Sequence, residues 1–470
     1  MAEPSTTPHA EPELKRVMGP GLLLLFIIGD ILGTGIYALT GTVAREVGGV
    51  VWLPFLVAFA VALMTAFSYL ELVTKYPHAG GAAVFTHKAF RIGFLTFMVA
   101  FTVMASGITS SATASRAFAE NFMKGFGLGT DPTIVTVVAI WFMLLVMGVN
   151  LYGVAESVKA NVVLTCIELS GLLLVIFVGF LAMSSGRADF SRVLLFETPQ
   201  DKGWFLALSA ATSVAFFAMV GFEDSVNMAE ETKNPSKIFP PIMLTGLGIT
   251  GVIYVLVSMT AVAIVPIGEL TETGATPLLT VVEMGAPGLP FGAVFPFISM
   301  FAVANTALIN MMMASRLLYG MGRQLVLPHV FSRVLPSRRT PWVSILFTTG
   351  LAIALITFVG QVSQLGGTTA LLLLAVFTLV NVAVLVLRRD TVAHSHFRAP
   401  TWLPVVAGLC TFYLVGPWTG RPLEQFTIAL VLIAIGAVLG FITFLVNKAL
   451  RQRPTRIEDV DLLDEGGVRN

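Results

Sequence analysis

The stretch that decides the fold is Gly29-Asp30-Ile31-Leu32-Gly33-Thr34-Gly35-Ile36-Tyr37, in the middle of the first apolar block of the chain. Its three glycines and one carboxylate predict that a helix is interrupted here, leaving several backbone N–H and C=O groups unbonded. Such backbone is tolerated inside a bilayer only where it faces a cavity. The alternative is an unbroken helix whose Gly33 and Gly35 let a second helix approach closely.

A second interruption is predicted in the sixth apolar block, at Phe216-Phe217-Ala218-Met219-Val220-Gly221-Phe222-Glu223-Asp224. Gly221 is followed by two carboxylates, which an unbroken helix facing lipid could hardly carry. The first and sixth blocks hold corresponding positions in two halves of five helices. Paired interruptions at such positions indicate the substrate site of a transporter built from inverted repeats.

The composition predicts a membrane protein around these two blocks. Of 470 residues, 56% are hydrophobic and 12% are charged, whereas an ordinary soluble domain has about a quarter charged residues. About twelve apolar blocks have the length that crosses a bilayer. They lie at roughly 18–43, 50–74, 92–119, 133–154, 160–184, 204–229, 241–265, 291–320, 342–360, 367–388, 400–418 and 425–447. Because backbone groups in hydrocarbon must be satisfied within their own segment, we predict an all-α integral membrane protein with 12 transmembrane helices.

The distribution of Lys and Arg predicts the orientation. With twelve spans, 21 of these residues fall on the side of both termini and six on the opposite side, which places both termini in the cytoplasm and the chain in the cytoplasmic membrane. The six outer residues are Arg45, Lys124, Arg187, Arg192, Lys202 and Arg421. Residues 1–16 and 450–470 are predicted to be disordered cytoplasmic tails, and we expect no cleaved signal peptide. The loop at 266–290 is predicted to pack down as an outer lid.

Five short motifs, in their order and spacing, resemble those of the amino acid, polyamine and organocation (APC) superfamily. They are Gly33 to Tyr37, Tyr76 to Gly81, Phe217 to Glu223, Ala229 to Pro235, and Ala314 to Tyr319 with Arg323 and Pro328 behind it. The resemblance covers most of the chain. It implies the LeuT-type fold: a 5+5 inverted repeat of helices 1–10 at residues 17–388, with broken helices 1 and 6, followed by accessory helices 11–12 at residues 389–449. It also implies secondary active transport of amino acids or related amines by alternating access.

The resemblance further implies which groups bind the substrate. Its α-carboxylate would lie on freed amides at the positive end of a half-helix, and its α-ammonium would face freed carbonyls. The amides are those of Gly33, Thr34 and Gly35, and the carbonyls lie near Phe216, Phe217 and Met219, beside Gly221. Phe217 takes the place of an aromatic residue that closes over substrate in family members. Side chains around the variable end of the substrate would give specificity, and the candidates are Ile36, Tyr37, Ser106, Thr109, Phe222 and Asn305.

Three acidic residues within spans, Asp30, Glu168 and Glu223, are candidates for carrying a coupling proton. An ionisable group inside a membrane costs roughly 2.5 to 3.5 kcal/mol on insertion scales and usually marks a functional site. Many proton-driven relatives have a lysine near the position of Glu168, and Lys159 lies too near the membrane edge to replace it. We therefore expect Asp30 and Glu168 together, or Glu223, to hold the proton. The alternative is that Asp30 only caps the interrupted helix.

Other classes of function fit the sequence less well. The net charge of +1 argues against nucleic acid as a partner. The six histidines lie in tails or loops and do not have metal-ligand spacing. The sequence also contains no glycine-rich loop with a lysine that could bind phosphate. We therefore predict no enzyme, no metal site and no cofactor. The expected partners are a small amino acid or amine, protons and the lipid bilayer. Two alternatives remain: a polyamine or basic amino acid as substrate, because the acids could pair with a cation, and a nutrient sensor that binds without transporting.

Overall fold

A computed structural model describes residues 19–77, 81–129, 131–152, 157–198, 202–229, 232–323, 327–338 and 340–449. The predicted tails at 1–16 and 450–470 lie outside these ranges, as do the motif residues 78–80, 230 and 231. The helices are α1 (Pro20–Ile31), α2 (Thr34–Val47), α3 (Trp52–Lys75), α4 (Gly81–Phe90), α5 (Gly93–Gly125), α6 (Pro132–Tyr152), α7 (Ser157–Ser184), α8 (Trp204–Ala215), α9 (Pro235–Ile264), α10 (Ile267–Leu270), α11 (Pro277–Gly285), α12 (Phe291–Arg323), α13 (Trp342–Phe358), α14 (Val362–Leu387), α15 (Trp402–Val415) and α16 (Leu423–Ala449).

In the described ranges, ten segments are long and apolar enough to cross a membrane, counting α1 with α2 as one and α8 with the residues after it, to Val226, as another. Two further apolar helices are shorter: α13 has 17 residues and α15 has 14. These ranges contain no β-strand and two isolated β-bridges. The prediction of an all-helical membrane protein is therefore confirmed.

Local sequence accounts for several helix starts. α1, α9 and α11 each have a proline in the first helical turn, where its missing N–H has no intrahelical acceptor in any case. Pro296 lies inside α12, and Pro240 and Pro241 lie inside α9. Prolines are tolerated within membrane helices because neighbouring helices satisfy the freed carbonyls.

The helices pack around a long central pair. α5 and α12, with 33 residues each, contact one another extensively, and α14 packs beside α5. α1 packs between α7 and α9, whereas α2 packs on α8. α15 and α16 lie against α14, with α15 also contacting α3 and α16 contacting α5. The two segments that flank the first predicted interruption, α1 and α2, are therefore enclosed by other helices.

A buried ion pair joins three parts of the chain at one end of the bundle. Arg388 donates to both carboxylate oxygens of Glu71, at 2.8 and 2.7 Å, and to the carbonyl of Ala399 at 2.6 Å. Glu71, whose side chain is 2% exposed, also accepts from the Ala399 amide at 2.9 Å. These bonds fix α3, the end of α14 and the segment before α15 to one another.

We expect Glu71→Gln to lower the free energy of unfolding by roughly 3 to 5 kcal/mol, because it leaves the Arg388 guanidinium buried without its counter-charge. The measurement is thermal unfolding of the purified protein in detergent. The matched control is Glu46→Gln, which removes the more exposed pair with Lys202 and should cost at most about 1 kcal/mol. Equal losses in the two variants would contradict this account of the Glu71 pair.

Candidate functional site

The first break lies where the glycines predict it. α1 ends at Ile31 and α2 begins at Thr34, with Leu32 and Gly33 extended between them. The hydroxyl of Tyr254, on α9, donates to the Ile31 carbonyl at 2.6 Å and lies where it can accept from the Gly33 amide. The break is thus bridged by a side chain that the sequence analysis did not identify. The sequence feature that could have identified Tyr254 is a tyrosine within an apolar block, because its hydroxyl needs a hydrogen-bond partner once it is buried.

The second break is longer than the first. α8 ends at Ala215 and is followed by a 3₁₀ helix at Phe216–Met219, a turn, and a second 3₁₀ helix at Asp224–Met228. Gly221 has φ +127°, a conformation that L side chains rarely adopt, and its amide donates to the Glu223 carboxylate at 2.9 Å. The glycine therefore permits the turn, and the acid two residues later satisfies its amide.

The two breaks contact each other directly through their glycines. A Cβ atom on Gly35 would lie 2.4 Å from the Cα of Ala218, and one on Gly221 would lie 2.5 Å from the Asp30 carbonyl oxygen. Real Cβ atoms essentially never approach backbone so closely. The helix is broken, and Gly35 also permits the close approach of a neighbour, as the alternative proposed. The neighbour is the second break, so the close packing occurs where both helices are interrupted.

Four carboxyl groups surround the junction of the breaks. Glu168 on α7 faces Gly33, and the groups of Asp30, Glu223 and Asp224 are near enough to repel one another. Asp30 also acts on Glu168. Glu168 is fully buried, and neither of its oxygens has a well-formed hydrogen bond in the described part of the chain, although the Asn305 amide is its neighbour. The two breaks and α7 thus bring four acidic side chains to one part of the bundle.

A small cavity of about 20 Å³, room for about one water molecule, lies beside the second break. α5, α12 and α14 form its other walls. Ser106 and Glu223, both predicted site residues, line it together with Asp224, Asn310 and Thr369. Asp224 is half-buried, and its carboxylate has no hydrogen-bond or ion-pair partner among the described residues. Asp224 has no role in the prediction from the sequence, although a second acid in the interruption could have indicated one.

The remaining candidates for specificity do not line this cavity. The Tyr37 hydroxyl donates to the Glu168 carbonyl at 2.6 Å, and the Tyr37 ring stacks on Phe295. Phe222 packs edge-on against Tyr69 within an aromatic cluster. Ile36 is fully buried, Thr109 shares a hydrogen bond of 2.7 Å with Thr369, and Asn305 faces Glu168. Tyr37 and Phe222 therefore each pack against another aromatic residue.

Phe217 lies in the second break and packs against α14. A Cβ atom on Gly366 would lie 3.3 Å from its ring and 3.0 Å from the side chain of Leu39, on α2. Phe217 is 4% exposed. The aromatic side chain is thus enclosed between α14 and the half-helix that follows the first break.

The segment predicted as a lid, residues 266–290, contains α10 and α11 and packs on α2. Arg45 of α2 donates to the Thr271 carbonyl at 2.8 Å, and the Ala275 amide donates to Glu120 of α5 at 2.7 Å. A Cβ atom on Gly41 would lie 2.5 Å from the Leu270 carbonyl oxygen. This segment therefore covers the far end of the half-helix that begins at Thr34.

The chain was compared with known proteins. A profile of the amino acid permease family matches residues 22–442. The chain is 27% identical over 430 residues to the branched-chain amino acid permease BcaP of Bacillus subtilis, covering 86% of this chain and 87% of the relative. It is 29% identical to the methylthioribose transporter of the same organism, covering 85% and 88%. It is 28% identical to cationic amino acid transporter 3, mitochondrial, of Arabidopsis thaliana, covering 81% of this chain and 64% of the relative.

We expect Gly221→Ala to destabilise the protein by roughly 1 to 3 kcal/mol from backbone strain alone, with a further cost from the clash with Asp30. Gly350→Ala is the matched control, because a Cβ atom on this glycine of α13 meets nothing within 4 Å and alanine is the better helix former. Thermal unfolding in detergent measures both. An unfolding midpoint of Gly221→Ala equal to that of Gly350→Ala would rule out the contact between the breaks.

Proposed function

Because its match over residues 22–442 shows that this chain belongs to the amino acid permease family, in the APC superfamily, we propose that it is a proton-coupled amino acid symporter working by alternating access. The chain is a multi-pass membrane protein of a family of permeases, not of enzymes. The observation that carries the proposal is the direct contact of two broken helices beside a cavity with acidic walls. We place it in the cytoplasmic membrane with both termini in the cytoplasm.

We further propose twelve transmembrane helices with the LeuT-type 5+5 arrangement. In this assignment α1 and α2 are the halves of helix 1, and α8 with the following 3₁₀ turns forms helix 6. Residues 17–388 make up the transport core, and α15 and α16, at residues 389–449, are the accessory helices 11 and 12. The packing of α15 and α16 on the outside of α14 supports this division.

We assign substrate recognition chiefly to the backbone at the two breaks. The first N–H groups of a helix have no intrahelical acceptors, so the start of α2 at Thr34 and Gly35 suits an α-carboxylate. The Gly33 amide lies next to the Tyr254 hydroxyl, which makes it the weakest of the three assigned donors. The carbonyls of Phe216, Phe217 and Met219 would face the ammonium, and Ser106 would line the variable end of the substrate.

We propose that protonation of the acidic cluster couples transport to a pH gradient. Glu168 lies beside Gly33, so its charge acts on the backbone that binds the substrate carboxylate. An ionised Glu168 would repel that carboxylate, and a protonated one would not. Proton binding would thereby favour substrate binding, and proton release on the other side of the membrane would favour substrate release.

The test is uptake of labelled amino acids by the purified protein in liposomes, with and without an imposed pH gradient. For the unmodified protein we expect uptake that increases when the outside is made acidic. We expect Glu168→Gln, which mimics the protonated acid, to keep exchange of substrate across the membrane while losing the dependence on the gradient. Glu283→Gln, at an exposed acid of α11, is the matched control and should keep it.

Two results would count against these proposals. Binding of amino acids without any flux would favour the nutrient sensor. If Glu168→Gln and Asp30→Asn together left uptake as dependent on the pH gradient as before, the acidic cluster would not carry the proton.

A second candidate substrate is an organic amine or a basic amino acid. The carboxylate of Asp224 in the cavity wall, which has no ion-pair partner among the described residues, favours it, because a partly buried negative charge attracts a cation. The similarity to cationic amino acid transporter 3 of Arabidopsis thaliana is consistent with this candidate.

Competition experiments separate the two substrates. If the cavity selects a positive end, arginine or putrescine should compete with labelled substrate more strongly than leucine does. Asp224→Asn should then weaken their competition about ten-fold, the loss of one charged contact, with little effect on leucine. Unchanged competition by arginine and putrescine in this variant would exclude Asp224 as the selecting group.

A further inference from the structure

Arg421 is buried, although the sequence places it in an outer loop. It lies in the connection between α15 and α16 and is 6% exposed. The loop rests on α8: a Cβ atom on Gly420 would lie 3.1 Å from the side chain of Leu206. The guanidinium therefore points into the protein, which is unusual for an arginine in a loop outside the membrane.

Backbone carbonyls surround this guanidinium. Its Nη1 donates to the carbonyl of Gly367 at 2.7 Å and to the side chain of Gln425 at 2.9 Å. Its Nη2 donates to the carbonyls of Leu414, at 3.4 Å, and Ser213, at 3.5 Å. In the described part of the chain Arg421 has no ion-pair partner, and its Nε has no hydrogen bond.

The ends of two helices supply the missing negative charge. Ser213 lies in the last turn of α8, and Leu414 lies in the last turn of α15. The last carbonyls of a helix lack intrahelical donors and carry the negative end of the helix dipole. The ends of α8 and α15 therefore both contribute acceptors to the charge of Arg421.

Gly367 adds a third helix to this arrangement. It belongs to α14, and a Cβ atom there would lie 2.1 Å from the side-chain nitrogen of Gln425, so α14 is held tightly against the start of α16. Gly366, its neighbour in sequence, packs on Phe217 and Leu39. Ser213 precedes the break at Phe216 by less than one helical turn. The guanidinium thus contacts α14, which packs on Phe217, and α8, the helix that leads into Phe217.

Resting on the proposed function, we propose that Arg421 is a positioning residue of the transport site. Its guanidinium fixes the end of α8 to α14 and thereby holds Phe217 and the carbonyls of the second break in place for substrate. Movement of α8 away from α14 would leave a buried cation without its acceptors, so Arg421 also stabilises the arrangement in which these helices are closed together. The accessory helices act on the site through this side chain.

The experiment uses cysteine labelling, which does not depend on the substrate. Cys166 and Cys410, the two cysteines of the chain, are first replaced by serine and alanine. Leu39→Cys then reports opening between α2 and α14, and Val73→Cys, a buried position on α3, reports general loosening. Each reporter is combined with Arg421→Lys, with Arg421→Met, and with Arg192→Gln as a control at a more exposed outer arginine. A maleimide reagent is applied to the full chain in detergent.

We expect Arg421→Lys and Arg421→Met to speed labelling of Leu39→Cys about ten-fold, since charged hydrogen bonds that hold α14 are lost. Labelling of Val73→Cys and the Arg192→Gln control should be unchanged. In liposomes, Arg421→Lys should raise the KM for labelled leucine and leave the maximal rate nearly unchanged.

Unchanged labelling of Leu39→Cys, or equal acceleration at Val73→Cys, would overturn the positioning role. Absence of leucine transport by the unmodified protein, with faster Leu39→Cys labelling in the Arg421 variants, would count against leucine as the substrate of the proposed function. The structural role of Arg421 in fixing α8 to α14 would stand in that case.

Discussion

Backbone groups inside a membrane must find hydrogen-bond partners, and the two helix breaks of this chain meet that requirement in different ways. The first break uses the hydroxyl of Tyr254, whereas the second uses the carboxylate of Glu223 and two 3₁₀ helices. Direct contact of Gly35 with Ala218 then excludes lipid from both breaks. The cavity, the acidic cluster and the enclosed Phe217 all depend on this junction, because each lies on an element that begins or ends there.

Much of this arrangement could be predicted from the sequence. Glycines and acids within apolar blocks mark the breaks, and the first helix ends at Ile31, within the quoted stretch. The second break begins at Phe216, the first residue of the quoted stretch. The glycine marks where the backbone must adopt a positive φ, but 3₁₀ geometry can precede it without any special residue. Asp30 and Glu168 are predicted from the sequence to act as a pair, with Glu223 as the alternative, because an ionisable group within a span is costly.

Side-chain direction could not be predicted in the same way. Tyr37 and Phe222 lie in the interrupted stretches, yet one stacks on Phe295 and the other packs against Tyr69. Which way a side chain points at a break depends on helices distant in sequence, and no periodicity survives there to indicate a face. Arg421 is missed for a similar reason. Counting of charges treats Arg421 as a solvated loop residue. Its carbonyl acceptors are brought to it only by the folded positions of α8 and α15.

The short length of α15 has a consequence for the surrounding lipid. Its 14 residues make a helix about 21 Å long, whereas the hydrocarbon core of a typical bilayer is about 30 Å thick. A segment this short is accommodated by thinning of the adjacent bilayer or by drawing its flanking residues inward. One flank is the loop that carries Arg421, so hydrophobic mismatch would pull on the same loop. A change in lipid chain length would therefore change the force on this loop at the periphery of the protein.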